Sequence, residues 1–325
     1  MNGTTALPPW LPTAPCTPGR CTAHPDDPVS GPVPGRGPGR DSGPHPGAGL
    51  PRAVARLTAG TGTVLLGVLL APAAALLPPA ARLALVRRWT RTVVRAFGVR
   101  VRYGGNPVAT GPLLVVANHV SWLDVPLLAA VLPARMVAKA EVRRWPVLGV
   151  LAALGGTLFI DRDRLRALPG TVRAMAGVLA GGGRVAVFPE GSTWCGRERG
   201  RFRPAAFQAA LEAGCAVQPV RIDYRPADAA AYVGDDPLGA SLWRVVTTRH
   251  LTAEVRLADP LPSGRHPDRR ALAAAAQRAV AHRTAFPWAV PQRAAASDSA
   301  NLSPLSVHQR TRPRPAAASS SRTPS

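Results

Sequence analysis

Lysine is almost missing from this chain of 325 residues: Lys139 is the only one, and the acidic side chains number 18 against 40 Lys and Arg. Arginine therefore carries nearly the whole net charge of +22. Such a balance favours an anionic partner, which means nucleic acid, an anionic membrane surface or a phosphate-bearing substrate. Aromatic residues are scarce as well, at 5% of the chain, and no cluster of them forms a stacking platform. Without that platform, a zinc-finger spacing or a heptad zipper, the expectation is no nucleic acid partner. Cysteines occur only at 16, 21, 195 and 215, with no C-x-x-C pair, so neither a disulfide framework nor a metal site is expected. The folded part is accordingly expected to face a reducing compartment. No core serine lies in a Gly-x-Ser-x-Gly elbow, which argues against a serine hydrolase of lipids, and no internal repeat is visible.

What is present divides the chain into four parts. Residues 1–52 are crowded with Pro and Gly and poor in β-branched and aromatic side chains, so they are expected to stay unfolded. A continuous apolar stretch is lacking there too, and no secretory signal is expected. The Ala-, Ser-, Pro- and Arg-rich residues 291–325 are expected to form a disordered tail. Between these lie a membrane-associated helical segment, residues 53–100, and one folded domain, residues 101–290.

Residues 57–81 carry no charge and are rich in Leu, Val and Ala, long enough to cross a hydrocarbon core of about 30 Å. Pro72, Pro78 and Pro79 each remove a backbone donor, which leaves a re-entrant or interfacial hairpin, or a buried core helix, as alternatives. Behind this run, Val86, Trp89, Val93 and Phe97 recur at helical spacing while Arg87, Arg91 and Arg95 line another side. Such a basic amphipathic helix suits the lipid headgroup boundary of an anionic membrane surface; a helix packed on the domain with a solvated arginine face is the alternative. Arginines are more numerous after the apolar run than before it, so the catalytic side is expected to be cytoplasmic.

Beyond residue 102, short apolar runs alternate with helical ones. Strands are expected over 113–117, 157–160, 185–188, 216–220 and 254–257, and helices over 125–132, 165–180, 204–213 and 268–282. This alternation predicts an α/β domain with a central sheet covered by helices.

The segment Asn118-His119-Val120-Ser121-Trp122-Leu123-Asp124 follows the first of these strands directly. Strand ends in α/β folds hold side chains rigidly while leaving them open to a ligand. A neutral imidazole accepts a proton from a hydroxyl near physiological pH, and a carboxylate on its other nitrogen fixes the tautomer. His119 and Asp124 can act this way if the chain curls through one turn between them. The alternative is that Asp124 caps the helix containing Pro126 and that His119 is an ordinary loop residue.

Three further segments share the order of this one: Gly156-Thr157-Leu158-Phe159-Ile160-Asp161-Arg162, Val187-Phe188-Pro189-Glu190-Gly191-Ser192 and Val217-Gln218-Pro219-Val220. With His119 and Asp124 they make four blocks by which the chain resembles the glycerolipid acyltransferase superfamily, to which the 1-acyl-glycerol-3-phosphate acyltransferases belong. The resemblance covers roughly residues 101–224. It implies a central mixed sheet covered by helices, and transfer of a fatty acyl group to a lysolipid hydroxyl. The lysolipid acceptor it points to first is 1-acyl-glycerol-3-phosphate, with another lysolipid such as lyso-ornithine lipid, or a catalytically inactive lysolipid-binding protein, as alternatives. No cofactor is implied beyond the cosubstrate, acyl-CoA or acyl carrier protein.

The resemblance also implies roles for individual residues. His119 and Asp124 are catalytic; Arg162, Glu190, Gly191 and Ser192 bind substrate. On its own chemistry, Arg162 offers a planar fork for phosphate, or else a surface ion pair with Asp161 or Asp163. Glu190 and Gly191 present a hydroxyl partner and a close backbone approach, or else a plain turn. Pro219 shapes a groove or marks a sheet edge. Lys139 and Glu141 stand where the family often has a basic and an acidic residue, although a solvated pair accounts for them more simply. One departure stands out: many members carry an Arg shortly after the third block, where this chain has Ser192-Thr193-Trp194-Cys195. Arg197, Arg199, Arg201 and Arg203 follow in the next loop as substitutes.

Overall fold

The computed structural model describes Ala14, Cys16 and residues 49–282 apart from 109, 162, 163 and 235. Most of the head, the whole tail and Arg162 thus lie outside the described residues. Helix α1 (Leu50–Ala75) and helix α2 (Pro79–Ala96) run antiparallel against each other. Pro79 occupies the first turn of α2, where no N–H is needed, and it holds Pro78 extended at ψ 147°. The uncharged run therefore folds back on itself and does not continue as one helix. Gly67 and Gly60 let the second helix approach: a Cβ at either would stand 2.3–2.4 Å from the ring of Trp89 or Phe97. Trp89 also donates from Nε1 to the Thr63 carbonyl at 3.0 Å.

This packing corrects the expected use of α2. Val93 and Phe97 are buried and Trp89 half-buried, facing α1 and the domain, so the face assigned to the lipid boundary is occupied by protein. Arg91 and Arg95 are exposed, as the alternative reading of a solvated arginine face required, whereas Arg87 of the same face is half-buried. Arg56 ties α1 to the domain by donating to the Val246 and Thr248 carbonyls, at 2.9 and 2.7 Å.

The domain follows as β1 (Arg100–Gly104), β2 (Leu113–Ala117), α3 (Asp124–Val131), β3 (Arg135–Lys139), a 3-10 turn (Ala140–Arg144), α4 (Leu148–Leu154), β4 (Leu158–Ile160), α5 (Leu168–Ala180) and β5 (Arg184–Val187). It ends with α6 (Ala205–Glu212), β6 (Ala216–Arg225), α7 (Ala227–Ala230), α8 (Leu238–Thr247), β7 (Thr252–Leu257), β8 (Leu261–Pro262) and α9 (Arg269–Ala281). The sheet order is β1-β7-β6-β2-β5-β3-β4, with β8 alongside β6. Pairing is parallel except where β6 meets β7 and β8, so the sheet is mixed.

Strand β2 sits at the centre and every one of its residues is buried. Because side chains alternate, Leu113, Val115 and Ala117 face one core while Leu114 and Val116 face the other. The first core meets α2, α3 and the Val245–Val246 face of α8; the second is closed by α5, α6 and α9 through Met175, Leu179, Phe207, Leu272 and Ala276. Each fully buried Leu contributes roughly 1.5–3 kcal/mol, which makes β2 the most firmly held platform available to a site at its end. Cys16 is buried against the first core.

Two boundaries differ from the sequence expectation for physical reasons. The helix expected from residue 165 starts at Leu168, after a 3-10 turn, because Pro169 fits only a first helical turn. Pro219 is no sheet edge: it pairs with Val116 inside β6, a central strand. Its missing N–H falls in the gap where β8 stops pairing at Val217 and β7 begins at Val220.

Candidate active site

Strand β2 ends at Ala117, and Asn118 then fixes the chain to β6. Its side chain accepts from the Ile222 N–H and donates to the Ile222 carbonyl, each at 2.8 Å, and it is buried. Removing it would strand two backbone groups, at about 1–3 kcal/mol each. The next residue, His119, is thereby placed at the rim of the sheet.

From there the chain makes one tight turn and enters α3. Asp124 opens that helix, but its carboxylate does not cap it; it reaches back into the turn. Oδ2 accepts from the Val120 N–H at 2.7 Å, the Ser121 N–H at 2.9 Å and His119 Nδ1 at 2.8 Å. Oδ1 accepts from the Tyr224 hydroxyl at 2.5 Å. Asp124 is wholly buried, and four donors compensate a charge that would otherwise be prohibitively desolvated. Burial and the neighbouring Asp124 charge raise the Tyr224 phenol well above its ordinary range, so it stays a donor.

Asp124 accepts the proton on Nδ1, which leaves Nε2 as the basic nitrogen of neutral His119. Among the described residues Nε2 has no hydrogen-bond partner, and the side chain is 20% exposed. Phe188, just past β5, stacks on the imidazole with ring centroids 3.9 Å apart. The ring is held on one edge by Asp124 and on one face by Phe188, with its reactive edge open.

The third block lies beside it. Gly191 closes a turn through its N–H to the Phe188 carbonyl at 3.1 Å and has a φ of 77°, a conformation that favours glycine. The turn directs Glu190 inward, where Oε2 accepts the His119 N–H at 3.1 Å and Oε1 is buried with no hydrogen-bond partner. Burial pushes the Glu190 carboxyl up to about 8, only partly opposed by the His119 N–H and the Arg199 charge. The block is thus a turn, and the turn delivers Glu190 to the His119 N–H. Ser192 follows, half-buried. Trp194 anchors the loop by donating its N–H to the His119 carbonyl at 2.8 Å, and its indole Nε1 is buried without a partner.

Of the loop arginines, Arg199 reaches the site's charges. It pairs with Asp223 at 3.1 Å and acts on Glu190, whereas the side chains of Arg201 and Arg203 are exposed. Asp161 pairs with Arg164 at 3.4 Å. Lys139 and Glu141 are both exposed. Asn118 and Tyr224 were not anticipated from sequence, although both support the His119–Asp124 pair.

The Acyltransferase family model matches residues 99–223, the stretch that holds all of these groups except Tyr224, which follows it directly. The chain is 41% identical over 204 residues to the lyso-ornithine lipid O-acyltransferase of Pseudomonas aeruginosa, a match covering 60% of this chain and 76% of that protein. It is 37% identical over 174 residues to the 1-acyl-sn-glycerol-3-phosphate acyltransferase of Neisseria gonorrhoeae, covering 52% of this chain and 68% of the relative. The crystal structure of the 1-acyl-sn-glycerophosphate acyltransferase from Thermotoga maritima superposes with a TM-score of 0.57 at 20% identity, over 71% of this chain and 92% of that one, and so shares the fold. With the four blocks in order on that fold, and with relatives matched over most of their length, the chain belongs to the acyltransferase family.

Proposed function

We propose that the protein transfers a fatty acyl group from the thioester of acyl-CoA or acyl carrier protein to the hydroxyl of a lysolipid, with His119 as general base. The observation that carries this reading is His119 Nδ1 bonded to the buried Asp124 carboxylate at 2.8 Å while Nε2 stays open. Nε2 takes the hydroxyl proton as the acceptor oxygen attacks the thioester carbonyl, and Asp124 stabilises the imidazolium that forms. Collapse of the tetrahedral intermediate expels the thiol, to which the imidazolium returns the proton. Glu190, mostly protonated at neutral pH, offers a hydrogen bond to the acceptor beside the base.

For the acceptor, 1-acyl-glycerol-3-phosphate giving phosphatidic acid is the first reading, supported by Arg162 in the second block and by Arg199. A lyso-ornithine lipid is the second. The stretch Ser192-Thr193-Trp194-Cys195, neutral where many family members have an arginine, favours it, as does the name of the Pseudomonas relative. Acyl transfer from one labelled acyl-CoA to a panel of lysolipids tests both readings; no transfer to any lysolipid would remove the enzymatic one.

The site is proposed to work at the cytoplasmic face of the cell membrane. Helix α1 is long and apolar enough to cross a bilayer, yet Ala53 is buried and Leu57 and Val64 pack on the domain. From Leu65 on the leucines are exposed, through Leu70 to Leu76 and Leu77 at the turn into α2; nearer the domain, Leu50 is exposed as well. The free part, about ten residues, reaches roughly 15 Å, half a hydrocarbon core. This length and the return of α2 support a hairpin anchored in one leaflet.

A further inference from the structure

Helix α4 is apolar on every side. Its sequence, Leu-Gly-Val-Leu-Ala-Ala-Leu, holds no polar residue, yet Gly149 is its only buried member. A helix that is apolar all round belongs inside a protein or in lipid. Here Leu148, Val150 and Leu154 are 38–52% exposed, as is Trp145 at 38% just before the helix. Arg143 and Arg144 precede Trp145 and are exposed, Glu141 being the one acid of that 3-10 turn. Arg143 leans over the Phe159 ring, 5.8 Å from its centroid.

The occupant follows from what adjoins this patch. Helix α4 packs against α1, whose Leu66, Leu69 and Leu70 are more than half exposed. The two apolar surfaces are thus neighbours, although α4 belongs to the catalytic domain and lies some eighty residues along the chain. Arginines next to a tryptophan match the headgroup layer of an anionic bilayer. We infer that Trp145 and α4 form a second lipid contact, which lays the catalytic domain on the anionic bilayer surface next to the α1 anchor. This rests on the reading of α1 as membrane-inserted. The contact adjoins β4, which leads into the second block, and so keeps that edge of the site at the surface where a lysolipid acceptor resides.

The full chain reconstituted in vesicles of equal parts phosphatidylglycerol and phosphatidylcholine tests this. With bromine-bearing acyl chains in the vesicles, tryptophan quenching should be clearly smaller for Trp145→Phe than for the unaltered protein. Quenching that is the same in both would overturn the contact. Failure of the unaltered protein to float with the vesicles would sink the reading of α1 and the contact with it. A double variant, Leu148→Asp with Leu154→Asp, alters only exposed positions. It should still float and should keep its kcat/KM for a short-chain acceptor dissolved as monomers. Its KM for the same acceptor with a long chain, embedded in the vesicles, should rise about tenfold or more. An equal loss on both acceptors, or a dimer that becomes a monomer in the double variant, would overturn the proposal, the latter by assigning the face to a second copy.

Discussion

Tyr224 donates its hydroxyl to Asp124 Oδ1 at 2.5 Å, joining the last turn of β6 to the first residue of α3 across 100 positions of sequence. The two carboxylate oxygens thereby divide their work. Oδ1 is held by the phenol, and Oδ2 serves the turn amides and His119. A carboxylate anchored at both oxygens cannot swing away from the imidazole.

Tyr224→Phe keeps the ring and its packing and removes only that donor. Without it the carboxylate is anchored at one oxygen only and holds the imidazole less firmly. The kcat should therefore fall by about tenfold with KM little changed. An unchanged kcat in a folded variant would limit Tyr224 to a packing role.

The base itself gives the largest effect. His119→Ala should lower turnover by about a hundred- to ten-thousand-fold in a protein that still folds, because the ring is 20% exposed and the buried Asp124 keeps its three other donors. Near-normal turnover in that variant would exclude His119 from the chemistry.

How much of this was legible in the sequence depends on where the apolar pattern was interrupted. Strand β2 and helix α5 are unbroken apolar or periodic runs, and both were expected nearly where they stand. Strand β6 was expected to end at Val220, because Arg221, Asp223 and Arg225 look like a surface. It runs on to Arg225, with Val220, Ile222 and Tyr224 alternating into the first core. Arg221 turns out buried, donating to Asp223 and to the last carbonyls of α9. The period-two signal was there, but only tertiary pairing could show that these charges are satisfied inside. Strands β1 and β3 escaped for a related reason, since cations interrupt short segments: Arg100 and Arg102 in β1, at the sheet edge, and Arg135 and Lys139 at the two ends of β3. His119 and Asp124 were found by spacing and block order, whereas Tyr224 and Asn118 act across the sheet, where local spacing carries no information.

Stability should depend on pH through Glu190. Its carboxyl is pushed from the ordinary 4.5 up to about 8 in the fold, so native protein holds a proton that the unfolded chain has lost. The sign follows: this contribution is full below the unfolded value and disappears as pH rises through the folded one. Glu190→Gln cannot ionise. Its melting temperature relative to the unaltered protein should rise from about pH 5 to about pH 9, by an amount equivalent to a few kcal/mol at most. A difference that stays flat over that range would mean that Glu190 is already ionised in the folded protein.

Attachment should resist salt. If the exposed leucines of α1 lie in lipid, washing membranes with concentrated salt should leave the protein bound, because apolar burial is not screened by ions. Leu66→Asp with Leu69→Asp should release most of it. Release of the unaltered protein by salt alone would place the hold on the arginines.

The acceptor is the remaining choice, and arginine geometry discriminates between the candidates. A phosphate dianion in a partly dry site needs more than one cation. Arg162, which follows β4 closely in sequence, has to share the charge with a loop arginine, and Arg199 is the one already acting on Glu190. Arg162→Ala should then raise the KM for lysophosphatidate by about ten- to a hundredfold, the value of one charge-assisted bidentate contact. Arg162→Lys should restore only part of it, since a point charge does not reproduce the planar fork. A zwitterionic lysolipid such as lyso-ornithine lipid carries no dianion and should respond less. The stretch Ser192-Thr193-Trp194-Cys195 after the third block is neutral and cannot replace the lost charge. Expressed as the ratio of kcat/KM between the two acceptors, the comparison cancels any general loss of folded enzyme. Equal depression of both acceptors by Arg162→Ala would make Arg162 structural and leave the phosphate clamp unassigned.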